Sequence, residues 1–166
     1  MGSRIEHRAE FTSGVAEVLA AQSDEGALRA RLEQLGGKHA TLQEHQRTAG
    51  GVRYKLLQGI AAEQLPQAVR SLHKGDLIVH REQTFEPDGD GHSGSTNAHV
   101  NGVPGEITAR TEITPLGEGT VQHTTGEVKI RMPLVGGKLE GLVAEQVTNL
   151  LEMEARFTAK WLAGDA

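Results

Sequence analysis

Apolar and polar residues alternate along much of this chain, a pattern typical of strands that bury one face. Residues 4–11 show it most clearly, with Ile5, His7, Ala9 and Phe11 on one side and charged residues on the other. The same alternation recurs in six later segments, which are residues 40–47, 52–60, 77–86, 93–101, 105–114 and 120–132. Short turns rich in glycine separate most of these segments, so we expect consecutive strands to pair antiparallel as a meander.

Two short helices are predicted between the first and second strands. Thr12 and Ser13 are candidate N-caps for the first helix, and Asp24 is a candidate N-cap for the second, which Gly36-Gly37 ends. A further helical connector is predicted over residues 63–73. Its markers are apolar residues at helical spacing and a proline near its start, namely Leu65, Pro66, Val69 and Leu72.

The longest helical pattern covers residues 138–162, after Pro133 has ended the last strand. With residues placed about 100° apart, its apolar side chains span an arc of about 200°, whereas an ordinary surface helix has a stripe nearer 100°. So broad a stripe predicts a sheet that curves around the helix. Gln146 and Glu154 interrupt the stripe, and a buried carboxylate is costly without a partner.

Polar residues also share the strand faces that are predicted to point inward. They are His7 in the first strand, Glu44 and Gln46 beside Leu42, Gln58 beside Tyr54 and Leu56, Arg81 and Gln83 beside Leu77, Val79 and Phe85, and Thr96 beside Ala98. Such a mixture is typical of a cavity with apolar walls and a few directional polar groups. We expect Glu154 to face the sheet and to meet a cationic or histidine partner there, with Arg81 and His7 opposite. A purely structural Arg81–Glu154 ion pair would explain both residues without a ligand.

The predicted lining of this cavity combines apolar and polar side chains from the strands and the last helix. It comprises His7, Phe11, Tyr54, Leu56, Arg81, Gln83, Phe85, Ile107, Gln146, Leu150, Glu154 and Phe157. No residue among them is assigned a catalytic role, and no metal ligand or cofactor is predicted.

Composition narrows the classes of function. The chain has no cysteine, which excludes disulfides and thiolate chemistry and favours a reducing cytoplasm. The net charge of -5 and the lack of a basic stripe argue against nucleic-acid binding. The sequence contains no run of about 18 apolar residues, so no integral membrane segment is predicted. The polar start of the sequence argues against secretion. The length of 166 residues suits a single domain over residues 1–166.

Several local motifs are better explained by structure than by chemistry. Gly136-Gly137-Lys138 lacks the other residues of a phosphate loop and indicates a turn. The segment Asp88-Gly89-Asp90-Gly91 lacks the later ligands of a calcium loop and is typical of a hairpin turn. His39 and His45 are close enough in sequence to share a strand face, where a solvated position is expected.

Specific segments resemble an uncharacterised bacterial domain-of-unknown-function family of the START-like superfamily. The resemblance covers nearly the whole chain and is carried by Arg4-Ile5-Glu6-His7, Gly75-Asp76-Leu77, the turn over residues 133–138 and the ending over residues 154–162. That superfamily also includes birch-pollen-allergen proteins, polyketide cyclases and aromatases, and coenzyme-Q-binding proteins. The resemblance implies an α+β helix-grip fold, a seven-stranded curved antiparallel sheet around a long C-terminal helix, with a cavity between them. It implies no substrate and no catalytic residues.

Three functions are consistent with these observations. The first is binding of a hydrophobic or amphipathic small molecule (lipid-like, polyketide-like or isoprenoid) by a monomer or homodimer. The second is an enzyme of the cyclase, dehydratase or hydrolase kind, which requires two titratable groups near one point of the cavity. The third is an interaction module whose cavity has collapsed. Fold alone does not decide among them.

Overall fold

The computed structural model describes residues 2–64, 67–71 and 74–165. Its strands are β1 (Ser3–Phe11), β2 (Thr41–Arg47), β3 (Val52–Ile60), β4 (Leu77–Asp88), β5 (Gly91–Val100), β6 (Gly105–Leu116) and β7 (Gly119–Ile130). Its α-helices are α1 (Val15–Ser23), α2 (Glu25–Leu35), α3 (Gln67–Arg70) and α4 (Gly136–Leu162), and a 3-10 turn covers Ala62–Gln64.

The strands form one antiparallel sheet in the order β1-β7-β6-β5-β4-β3-β2. Strands β2 to β7 follow one another as a meander because each joint is a short turn or connector. Strand β1 pairs with β7, so α1 and α2 connect the two edges of the sheet. Helix α4 packs against β1, β7, α1 and α2. The predicted seven-stranded curved sheet around a long C-terminal helix is therefore confirmed.

The apolar core consists of two clusters. One brings together the α1–α2 pair and the strands near β3: Phe11, Val18, Leu28, Leu32, Val52, Tyr54, Leu56, Phe85 and Ile113. The other lies between α4 and the β1–β7 side of the sheet: Ile5, Ala98, Ile107, Val128 and Ala144. Polar side chains, including Arg81 and Glu154, line the space between them.

The helix starts differ in detail from the prediction. Gly14, not Thr12 or Ser13, occupies the N-cap position of α1. The Ser13 carbonyl instead accepts a hydrogen bond from Thr120 Oγ1 at 2.7 Å, which holds the segment before the helix against the sheet. Asp24 does occupy the N-cap of α2, but its carboxylate pairs with Arg47 at 3.0 Å and makes no capping hydrogen bond. In the predicted connector, the 3-10 turn and α3 are present, whereas Leu65, Pro66, Leu72 and His73 lie outside the described residues.

The predicted inward face of β2 is wrong. The pairing of β2 with β3 shifts between Leu42 and Glu44, a bulge that reverses the faces of the residues that follow. Glu44 and Gln46 are therefore exposed, and His45 is half-buried. Nε2 of His45 lies 2.6 Å from the Ser23 carbonyl oxygen, which ties β2 to the end of α1.

Candidate functional site

The interior between the sheet and α4 contains two adjoining cavities. The larger has a volume of about 720 Å³ and lies between the first half of α4 and one end of strands β3 to β7. The smaller has a volume of about 90 Å³ and lies deeper along α4, between the two core clusters. Both cavities share a set of lining residues, which are Gln58, Val79, Ile107, Val147 and Leu150.

The larger cavity has apolar walls and a polar rim. Its buried wall includes Leu77, Ile107, Val128 and Leu139. The polar residues that line it are mostly exposed, namely Gln34, His99, Lys129, Gln146 and Asn149. Exposed polar groups and buried apolar groups in one cavity are typical of small-molecule pockets in general.

The smaller cavity contains a buried charge cluster centred on Glu154. Arg81 on β4 donates from Nη1 to Oε2 of Glu154 at 2.8 Å, and Nε of Arg31 on α2 lies 3.7 Å from the same oxygen. Glu154 is 6% exposed and Arg31 is 4% exposed. The prediction that Glu154 faces the sheet and finds a cationic partner is confirmed.

The electrostatic balance of this cluster keeps the carboxylate charged. Burial by itself would raise the pKa of Glu154, but attraction to Arg31 and Arg81, with hydrogen bonds from Arg81 and Gln58, outweighs burial and leaves that pKa below its ordinary value. Burial also works to lower the pKa of Arg81, and the charge of Glu154 outweighs it in turn, so the pKa of Arg81 is raised.

The guanidinium groups keep unused donors. Nε and Nη2 of Arg31 and Nε of Arg81 are buried and have no hydrogen-bond partner among the described residues. Other polar groups around the cavity are paired with one another: Gln83 with Thr96, Gln22 with Gln122, and Thr111 with Thr124. Unpaired buried donors are uncommon in folded proteins, so their concentration on the two arginines is a specific feature of this site.

Most of the predicted lining residues are adjacent to a cavity. His7, Tyr54, Arg81, Gln83, Phe85 and Glu154 border the smaller one, Gln146 borders the larger one, and Ile107 and Leu150 border both.

Three predicted lining residues border neither cavity. Phe11 and Leu56 belong to the first core cluster. Phe157 is buried and stacks on Trp161, with ring centroids 6.1 Å apart.

His7 has a different partner from the one expected. Its Nε2 lies 3.6 Å from Oε1 of Glu152, a carboxylate whose side chain is 46% exposed, rather than meeting Glu154. His7 therefore marks the edge of the smaller cavity and does not belong to the buried charge cluster.

Arg31 is the principal site residue that the sequence reasoning missed. It follows Leu28 by three residues and precedes Leu32, which places it on the buried stripe of α2. A charged residue among the apolar residues of a helix stripe could have identified Arg31 as a site residue, as it did for Glu154. Its role as a second cation for Glu154 depends on how α2 packs against α4, which periodicity does not show.

No group of three metal-ligating side chains occurs in the part of the chain that the structure describes. The segment from Asp88 to Gly91 forms the hairpin turn between β4 and β5, with Gly89 at a φ of 61°.

Over the described ranges of the chain, none of the helices combines the length and apolar character needed to cross a membrane.

A family model described as a protein of unknown function (DUF2505) matches residues 6–162. The chain belongs to the DUF2505 family. Uncharacterized proteins of Mycobacterium tuberculosis and Mycobacterium bovis are 30% identical to this DUF2505 chain over 165 residues, covering 95% of each sequence.

Solved structures share the fold of this DUF2505 protein. A protein of Thermus thermophilus matches with a TM-score of 0.66 at 13% identity, over 99% of both chains. A START superfamily protein of Mycobacterium smegmatis matches with a TM-score of 0.53 at 13% identity, over 93% of this chain and 96% of that one. A norcoclaurine synthase point mutant of Thalictrum, solved with a transition-state analogue, matches with a TM-score of 0.57 at 14% identity, over 99% and 96% of the two chains. The fold is therefore START-like, as the resemblance implied.

Proposed function

We propose that this DUF2505 protein binds a hydrophobic or amphipathic small molecule in the larger cavity. The observation that carries the proposal is the volume of about 720 Å³ between α4 and the sheet, with a wall that includes the buried apolar side chains Leu77, Ile107, Val128 and Leu139. Ligand sites are typically clefts of about 300–1,000 Å³ with mostly apolar walls and a few polar groups. Lipid-like, polyketide-like and isoprenoid compounds all meet that description.

The charged groups of the interior favour binding over acid–base catalysis. Glu154 is held as a carboxylate between two guanidinium groups, so it is a weak base, and arginine does not release a proton near neutral pH. His7, the histidine that borders the smaller cavity, is paired with Glu152 at the edge. The residues around the smaller cavity thus support binding or carriage of a small molecule.

Native mass spectrometry after gentle purification, together with titration of the fluorescent probe Nile red, tests the proposal. We expect either a co-purified mass or saturable Nile red binding. The variant Leu142→Trp puts a larger side chain on the cavity wall and should weaken Nile red binding by about tenfold or more, a loss of about 1.4 kcal/mol.

Glu145→Trp is the matched control, because Glu145 is exposed on the same helix and lines neither cavity. We expect it to bind Nile red as the wild type does. An empty wild-type protein that gives no Nile red response would refute the proposed function, as would equal binding by the two tryptophan variants.

A further inference from the structure

We propose that the bound molecule carries a monoanionic carboxylate head group, which Arg31 and Arg81 hold in the smaller cavity while its apolar chain lies in the larger one. This inference rests on the proposed function and specifies its ligand class. The supporting observations are the charge count, the unused donors and the adjacency of the two cavities, which share lining residues.

The charged side chains that line the smaller cavity carry a net positive charge. Two guanidinium groups face one carboxylate, and Glu154 is the only acidic residue among the described residues that line the smaller cavity. Arg31 is 4% exposed, so water compensates little of its charge. A buried charge without a counter-charge is unfavourable, and a single added negative charge would bring the cluster to neutrality. A dianion such as a phosphate monoester would exceed that balance.

The unused donors have the geometry that a carboxylate requires. Nε and Nη2 of Arg31 lie along one edge of its guanidinium group, and both lack a hydrogen-bond partner among the described residues. Two parallel donors on one edge bind the two oxygens of a carboxylate as a bidentate pair. Nε of Arg31 is 3.7 Å from Glu154, too far for a hydrogen bond, whereas Arg81 already uses Nη1 for Glu154 at 2.8 Å.

The two cavities are arranged as a head site and a tail site. They adjoin at residues that line both, including Gln58 on β3 and Leu150 on α4. The smaller cavity, about 90 Å³, has room for a small head group, and the larger one, about 720 Å³, has the apolar wall that a hydrocarbon chain needs. In the proposed arrangement, the head group of an amphiphile lies at the arginines and its chain lies against the apolar wall of the larger cavity.

Displacement of Nile red by dodecanoate and by dodecanol compares a carboxylate with a hydroxyl head group on alkyl chains of the same length. We expect the wild type to bind dodecanoate about tenfold or more tighter than dodecanol, the ratio that one added charge-assisted hydrogen bond would produce. Arg31→Gln should abolish that ratio while dodecanol binding persists. Arg29→Gln should keep it, because Arg29 is on the exposed side of the same helix and pairs with Glu25.

Glu154→Gln separates recognition from structural support. It removes the competing carboxylate and leaves both arginines, so the preference for dodecanoate should rise, whereas a merely structural role of the cluster predicts no rise.

Equal affinity of the wild type for dodecanoate and dodecanol would overturn the head-group proposal and leave the proposed function standing. Failure of Nile red and both amphiphiles to bind would refute the proposed function itself. If Arg31→Gln does not fold, the wild-type ratio and the response of Glu154→Gln decide the question.

Discussion

Glu154→Gln is also the sharpest test of what holds α4 to the rest of the fold without a ligand. The substitution keeps the shape of the side chain and removes its charge. Arg81, at 2.8 Å, would exchange its ion-paired hydrogen bond to a carboxylate for a hydrogen bond to a neutral amide oxygen, and Arg31 would lose its nearby counter-charge. Breaking a buried ion pair by neutralising one partner typically costs about 3–5 kcal/mol.

The retained amide oxygen still accepts a hydrogen bond, so we expect a loss at the lower end, about 3 kcal/mol of the free energy of unfolding. In a chain of this size that corresponds to a fall in Tm of about 6–12 °C. Urea unfolding followed by circular dichroism would measure the loss, with an unchanged slope against urea concentration showing that the compactness of the states is the same.

Glu152→Gln is the matched control for that substitution. Glu152 lies on the same helix, its side chain is 46% exposed, and its partner His7 is 3.6 Å away. Exposed pairs contribute about 0–1 kcal/mol, so this variant should unfold close to the wild type. A loss below about 1 kcal/mol for Glu154→Gln, or equal losses in the two variants, would show that the buried cluster does not stabilise the fold as described.

Two further predictions concern pH and backbone conformation. Because the folded pKa of Glu154 is lowered, its stabilising contribution is complete above the unfolded value of about 4.3 and is lost as the pH falls through the lower folded value. Acid unfolding curves of the wild type should therefore be steeper below about pH 4 than those of Glu154→Gln, and parallel curves would contradict this assignment. Gly37→Ala should destabilise by about 1–3 kcal/mol in urea, because Gly37 has a φ of 77° and an added Cβ would meet the Gly59 carbonyl. Gly137→Ala, in the first turn of α4 with open space around it, should be neutral or stabilising, and equal effects of the two substitutions would contradict the difference.

The order of the elements was predictable because alternation and turn residues report local backbone preference. Asp88 to Gly91 shows this, since the same four residues predicted the turn and form it. Glu154 was predictable for a related reason: its angle on the helix wheel placed a carboxylate among apolar side chains, and burial of that face then required a cation.

Other features depend on contacts that local patterns do not contain. The face of β2 reverses at a bulge, which adds a residue to one strand without changing its alternation. Arg31 reaches Glu154 only because α2 packs against α4, and His7 meets Glu152 because of the register between β1 and the helix. The division of the interior into a charged and an apolar cavity follows from these tertiary contacts.

The central claim is that an apolar chain binds between the sheet and α4, and the most direct test is to locate that chain in the complex. Nuclear Overhauser effects between unlabelled dodecanol and a methyl-labelled protein would locate it, independently of any head-group preference. We predict contacts with the methyl groups of Val128 and Leu139 on the wall of the larger cavity, and none with Val18 in the packed core. Contacts confined to exposed apolar residues such as Leu116, or no contacts at saturating dodecanol, would contradict binding between the sheet and α4.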